Sequence, residues 1–158
     1  MDADKLHKLN EFNIDKLTKK GFMFPSDEDI TAIKEEDKMF PTQISDMTNE
    51  EILNKMAMFS ALYSSAVVNE ALAMTEVVGL ERELEVNKSR IMQLSSSSKV
   101  TDKRLEASAN KDVIVLQENL TIAESRQRLL TALKNSYETY YKMFSRVLTS
   151  MLEERKVF

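Results

Sequence analysis

Residues 52–94 read ILNKMAMFSALYSSAVVNEALAMTEVVGLERELEVNKSRIMQL, and their apolar residues recur in alternating steps of four and three. A repeat of 3.5 residues held over this length is typical of a helix that packs along a supercoiled seam. Only Glu70 and Asn87 are polar in this first ladder. Its members are Ile52, Met56, Phe59, Tyr63, Ala66, Glu70, Ala73, Val77, Leu80, Leu84, Asn87, Ile91 and Leu94.

A second ladder with the same steps follows a serine-rich break at residues 95–98. Two such ladders joined by a short polar turn predict an all-α fold: a long antiparallel helical hairpin of the coiled-coil type. We assign residues 48–158 to the hairpin, with its turn near 95–100. The members of the second ladder are Leu105, Ala109, Asp112, Leu116, Asn119, Ala123, Arg126, Leu130, Leu133, Tyr137, Tyr140, Phe144, Val147 and Met151.

Capping residues predict where the two long helices begin and end. Thr48 and Glu51 have the spacing of a capping box, so the first helix should start near residue 49 and end near 95. Thr101 is the predicted N-cap of the second helix, which should continue to about Arg155. The four serines between them predict a turn rather than a phosphorylation cluster.

Residues 1–47 form an acidic N-terminal segment for which we predict short helices. Gly21 is suited to a left-handed C-cap after a helix at about 4–20. Residues 22–25, Phe-Met-Phe-Pro, are interpreted as a strap packed on the hairpin or as a docking motif for another subunit. Ser26 is the predicted cap of a second short helix at about 27–38.

The polar residues within the ladders predict a register. With the turn centred near 97–99, the numbers of facing residues should sum to about 196. Glu70 would then pair with Arg126, and Asn87 would lie near Ala109 and Asp112. A buried pair of opposite charges penalises slipped registers, so we interpret Glu70 and Arg126 as an interhelical pair that fixes the alignment; a functional role is the alternative.

Further apolar residues lie outside both ladders, and a two-stranded seam does not need them. They predict a second packing face, for other subunits or for the N-terminal segment, and we expect a homo-oligomer. These residues are Leu53, Met58, Leu62, Leu72, Met74, Val78, Val113, Val115, Leu120, Leu129, Leu148 and Leu152.

Composition predicts a binding or assembly protein rather than an enzyme. The chain has no cysteine, a single histidine and no glycine-rich phosphate loop, and we find no constellation of residues that would support catalysis, a metal or a cofactor. No apolar stretch approaches the roughly 20 residues of a membrane span, and the first residues do not read as a signal peptide. We expect an intracellular protein without a membrane partner.

Charge is distributed unevenly along the chain. Residues 1–50 carry a net charge of −5, whereas residues 86–111 carry +4 around the predicted turn. A local excess of positive charge on an acidic protein can attract a polyanion while the rest of the surface repels it. The alternative is an ordinary solvated helix end. The candidate nucleic-acid-binding residues, hereafter the basic cluster, are Lys88, Arg90, Lys99, Lys103, Arg104 and Lys111.

The segment Ser108-Ala-Asn-Lys-Asp-Val-Ile114 resembles the start of the second long helix in the UvsY-type phage recombination mediators. The stretch around residues 62–64 also resembles that family's first long helix, and the similarity extends over about residues 58–150. The acidic N-terminal segment goes beyond the family pattern.

The resemblance implies an oligomeric accessory protein that holds single-stranded DNA. Such mediators help load a RecA-like recombinase onto strands coated with single-strand-binding protein, so either protein is an implied partner. The family's basic residues near the helix junction would map onto the basic cluster, and a phage-encoded chain would work in the host cytoplasm. The alternatives are a virion scaffold without DNA binding and an adaptor that binds a partner through its acidic N-terminal segment.

Overall fold

The structure, a computed structural model, describes residues 3–24 and 47–154, and every regular element in these ranges is a helix. They are α1 (Ala3–Thr18), α2 (Asn49–Leu94), α3 (Val100–Ala109) and α4 (Lys111–Glu154). The long helices pack against each other, so the predicted all-α helical hairpin and its turn near 95–100 are confirmed. The predicted helix at 27–38, with Ser26 as its cap, lies outside the described residues.

The chain divides into two compact units. One consists of Met1–Asn13 and Asn69–Leu129 and contains the connection between α2 and α3; it is called the turn unit here. The other consists of Ile14–Val68 and Leu130–Phe158 and contains a cluster of stacked rings; it is called the aromatic unit.

The first ladder faces the core of both units, as its period requires. Every one of its positions is buried or half-buried except Leu94, which is 76% exposed at the end of α2. The predicted capping box is present: the Glu51 carboxylate accepts the N–H of Thr48 at 2.7 Å, and the Thr48 hydroxyl accepts the N–H of Glu51 at 3.3 Å. The Thr48 N–H above all, and then the Thr48 hydroxyl, which donates to the same carboxylate at 2.8 Å, hold the pKa of Glu51 below its ordinary value.

Stacked aromatic rings form the core of the aromatic unit. The Phe59 side chain is fully buried on α2, and its ring centre lies 5.0 Å from that of Tyr140 and 5.8 Å from that of Phe144 on α4. Tyr137 completes the cluster at 6.2 Å in a tilted arrangement. All four are ladder positions, so the period places each ring on the seam between the long helices, and the register then decides which rings meet.

A Schellman motif ends α1 and directs the following residues onto the aromatic unit. Gly21 has a φ of 87°, its N–H bonds to the Thr18 carbonyl, and the Phe22 N–H bonds to the Leu17 carbonyl. The side chains of Leu17 and Phe22 occupy the two positions where this motif commonly has a hydrophobic contact, and both are buried. The predicted C-cap at Gly21 is therefore confirmed.

Backbone hydrogen bonds hold the next residue of this strap. The Tyr137 hydroxyl accepts the N–H of Met23 at 3.1 Å and donates to the Met23 carbonyl at 3.0 Å. Burial raises the pKa of the Tyr137 hydroxyl, an effect that the bond with the Met23 backbone partly opposes. Residues 22 and 23 thus pack on the hairpin, as the strap interpretation predicted.

In the turn unit, α1 lies along α4, and the contacts of α4 with α2 show that the predicted register of the two long helices is wrong. The Asn13 side-chain amide donates to the Ile122 carbonyl, and the Ser125 hydroxyl donates to the Asn10 side chain. Arg126, which is 8% exposed, bonds Glu76 at 2.7 Å, six residues beyond the predicted Glu70.

The connection explains this shift of register. Ser95 and Ser97 both donate to the Glu106 carboxylate, which lies nearly two turns into α3. The numbers of facing residues near the turn therefore already sum to about 201. The predicted turn was symmetric about residues 97–99, and its sum of 196 was too small. Asn87, predicted to lie near Ala109 and Asp112, donates to the Glu83 carbonyl of its own helix.

The predicted cap at Thr101 is also wrong. The N-cap of α3 is Lys99, whose carbonyl accepts the Lys103 N–H at 3.2 Å and whose side chain makes no capping bond. Thr101 therefore lies inside the first turn of the helix.

The second long helix is interrupted at Asn110, whereas the sequence predicted a continuous one. Asn110 is extended, with φ −67° and ψ 135°, and its side-chain oxygen accepts the Asp112 N–H at 2.9 Å. Its carbonyl accepts the Ile114 N–H, so Asn110 is the N-cap of α4.

This interruption puts the first part of the second ladder out of phase. Leu105, Ala109 and Asp112 are exposed, whereas Ala107 and Val113 are buried in their place. Val113 thus belongs to the core and not to a second face. From residue 123 onward the ladder positions are buried or half-buried as predicted.

Candidate nucleic-acid interface

The basic cluster surrounds the connection between α2 and α3 within the turn unit. Two of its members lie in the last two turns of α2, one in the connection, two in α3 and one at the first position of α4. Lys88 and Lys103 are half-buried, and the other four side chains are exposed. The structure therefore places all six predicted residues on consecutive elements at one end of this unit.

Few carboxylates neutralise the basic cluster. Residues 86–111 contain only Asp102 and Glu106 as acids. Among residues 3–24 and 47–154, no ion pair within 4.0 Å involves any of the six cations. Because none of the six cations is held in such an ion pair, they remain available to an external anion.

Glu106 has a structural role in this end of the unit. Hydrogen bonds from the hydroxyls of Ser95 and Ser97 lower the pKa of the Glu106 carboxyl, and the nearby charge of Lys103 lowers it further. Ser95 also stabilises the turn of the connection, because its hydroxyl accepts the Ser97 N–H at 3.2 Å. These bonds tie the connection to α3 and so fix where the neighbouring cations lie.

The hydrogen bonds from Ser95 and Ser97 to Glu106 should weaken in acid. A lowered pKa in the folded state means that Glu106 stabilises the fold above the ordinary carboxyl pKa of about 4.3, and that this contribution is lost as the pH falls through the lower folded value. The thermal unfolding temperature of the wild type should exceed that of a Ser95→Ala/Ser97→Ala variant by a constant amount near neutral pH. The difference should shrink below about pH 4. A difference that does not change with pH would contradict this role.

Exposed aliphatic side chains lie between the cations. Leu94, Val100 and Leu105 are 76%, 58% and 69% exposed. Residues 86–111 contain no aromatic side chain, so the flat stacking platforms of many single-strand-binding proteins are missing here. The chemistry of this end suits contacts with a phosphate backbone rather than recognition of particular bases.

The sequence predicted the cations of the basic cluster but not the helix break at Asn110. The break at this residue ends α3 after ten residues and makes Lys111 the first residue of a new helix. An asparagine followed two residues later by an acid is a common helix start, and this was the available signal.

In the described ranges, no group of three or more acidic or histidine side chains is arranged to hold a metal ion. None of the helices in these ranges combines the length and the apolar composition of a membrane span. No protein-family model, no curated protein and no solved structure matches the chain.

Proposed function

We propose that the protein is a non-enzymatic, oligomeric accessory protein that binds single-stranded DNA through the basic cluster and assists recombinase loading. One observation supports the proposal most directly: six cations lie around one helix connection, and none has an ion pair within 4.0 Å in the described part of the chain. Phosphate groups are the partners that such a surface fits best.

Assembly would strengthen this binding. A net charge of +4 on residues 86–111 is modest for one chain, but several copies bound to one strand act with a high effective concentration. Affinity should depend little on base composition, because the contacts are with the backbone. The contribution to recombinase loading rests on the resemblance to the UvsY-type mediators.

Charge reversal tests the DNA site. A Lys103→Glu/Arg104→Glu variant should bind a labelled single-stranded oligonucleotide more weakly than the wild type. Each phosphate contact contributes about 0.7 to the slope of log affinity against log salt for single strands, so losing two contacts should reduce the slope by about 1.4. Fluorescence anisotropy over a series of salt concentrations measures both quantities.

A matched control carries the same change of charge on α4. Lys142→Glu/Arg146→Glu alters two exposed cations of the aromatic unit, outside the basic cluster, and also removes the 2.6 Å ion pair of Lys142 with Glu138. This control should keep the wild-type slope, and circular dichroism should show equal helicity for both variants. Equal binding by the wild type and the Lys103/Arg104 variant, with loss in the control, would move the DNA site to the Lys134–Arg146 face. A wild type that ignores single strands at low salt would favour a structural scaffold.

A further inference from the structure

A groove of about 800 Å³ lies between α1 and α4 within the turn unit. One helical face of α1 forms its first wall, with Lys5, Lys8, Leu9 and Phe12. This volume lies within the range of about 300 to 1,000 Å³ that is typical of sites for small organic groups. The groove is therefore large enough to take a nucleobase together with its sugar.

The apolar part of the groove carries one exposed aromatic ring. Phe12 is 54% exposed, and Ile114 on the opposite wall is 43% exposed. Leu9 and Ile122 line the same groove and are half-buried. An exposed ring with aliphatic neighbours is a flat apolar surface on which a base can stack, and residues 86–111 have no such ring.

The α1 wall is cationic. Lys5 and Lys8 lie about one turn apart, both are exposed, and neither has an ion pair within 4.0 Å among the described residues. Glu11, the acid next to Phe12, lies on a different face of α1, where its carboxylate is 3.3 Å from the His7 ring. The two ammonium groups are therefore available to phosphates along this wall.

The α4 wall carries hydrogen-bonding groups instead. It presents Gln117, Glu118 and Thr121. The Thr121 hydroxyl donates to the Gln117 carbonyl at 2.9 Å and keeps its capacity to accept, and the Glu118 carboxylate is exposed. A carboxylate repels a phosphate but accepts a hydrogen bond from the amino group of a base. This wall therefore suits the edge of a base, with the backbone of the strand on the α1 side.

The groove is continuous with the basic cluster. Lys111, a member of that cluster, is the first residue of α4 and precedes Ile114 by three residues. Residues three apart on a helix are neighbours on one face, so Lys111 lies at the entrance to the groove. A strand held by the basic cluster can thus extend into it.

We propose that the groove between α1 and α4 holds unstacked nucleotides of a single strand, with a base on Phe12 and phosphates on Lys5 and Lys8. The inference rests on the proposed function and adds a base-contacting segment to the same DNA site. Stacking on a ring accepts every base, so the groove selects single strands over duplex without reading the sequence.

Tryptophan fluorescence tests the stacking directly, because the chain contains no tryptophan. In a Phe12→Trp variant, a single-stranded oligonucleotide should quench the emission. An abasic strand of the same length carries the same phosphates and should bind without quenching, and a duplex, whose bases are stacked internally, should not quench either. Tyr141→Trp, at a site 39% exposed in the aromatic unit, is the matched control and should not respond.

Affinities separate the ring from the cations. Phe12→Ala should weaken binding of the oligonucleotide by at least about fivefold, the contribution of one stacked base, and should leave the affinity for the abasic strand unchanged. Lys5→Gln/Lys8→Gln should weaken binding of both strands and reduce the salt slope by about 1.4. Phe12, Lys5 and Lys8 are exposed, so circular dichroism should show wild-type helicity for every variant.

Each other outcome overturns the inference in a distinct way. Wild-type affinity of Phe12→Ala, with no quenching in Phe12→Trp, would remove the groove from the DNA site and leave binding by the basic cluster in place. Quenching in Tyr141→Trp instead would place the strand on the Lys134–Arg146 face. A response of Phe12→Trp to an acidic peptide with apolar residues, but not to DNA, would assign the groove to a protein partner. A wild type that ignores single strands at low salt would overturn the proposed function as well.

Discussion

The Phe59→Ala variant is expected to lose roughly 4 kcal/mol of unfolding free energy. The Phe59 side chain is fully buried and packs on Tyr140 and Phe144, so its removal leaves a cavity as well as exposing apolar surface. Loss of the stacked contacts adds to the cost of the cavity. Urea unfolding followed by circular dichroism measures the change.

An exposed leucine on the same helix is the control for this substitution. Leu53 is 52% exposed in the aromatic unit, and Leu53→Ala should cost less than about 1 kcal/mol. Phe59→Leu should lie between the two, because it keeps much of the volume but not the ring. Similar losses for Phe59→Ala and Leu53→Ala would mean that the ring cluster is not the core of this unit.

The Glu76→Ala variant is expected to lose about 2 to 3 kcal/mol, between the values for exposed and buried ion pairs. Its partner, the Arg126 side chain, is only 10% exposed, and the Nε atom of Arg126 already lacks a hydrogen-bond partner. Removing the carboxylate leaves a nearly buried guanidinium charge without its ion pair. The exposure of Glu76 itself, 47%, keeps the loss below that of a fully buried pair.

A double-mutant cycle separates the interaction energy of the Glu76–Arg126 pair from the general destabilisation that each substitution causes. The Glu76→Ala and Arg126→Ala effects should couple by about 1 kcal/mol or more, as expected for residues in contact. Glu70→Ala and Arg126→Ala should be additive, because Glu70 lies about 9 Å along the helix from Glu76. Coupling to Glu70 in place of Glu76 would restore the register that the sequence predicted.

Local patterns predicted the elements of this fold well. The period of the first ladder identifies the buried face of α2, and the pairing of Thr48 with Glu51 places its first turn correctly. Gly21 ends α1 for a similar reason, since a positive φ is a local demand that glycine meets. Each of these features depends on residues within one or two turns of the chain.

Features that depend on the path of the connection were not predicted. The register was wrong because side chains of Ser95 and Ser97 reach forward to Glu106, and no periodicity encodes such a bond. The break at Asn110 was missed because the ladder continues across it in sequence, although the buried face changes to Ala107 and Val113. The basic cluster was found by counting charges, but charge alone predicts a class of partner and not its identity.

The contacts of α1 set an order of events during synthesis and folding. The bonds between Ser95, Ser97 and Glu106 join residues 9 to 11 positions apart, whereas Met23 bonds a tyrosine 114 positions away. Closing the short loop costs far less chain entropy, so the hairpin is expected to zip from its connection toward its open end. On the ribosome, α1 must wait undocked until residues 122 and 125, its bonding partners, have left the exit tunnel, and the strap that follows it must wait for residue 137.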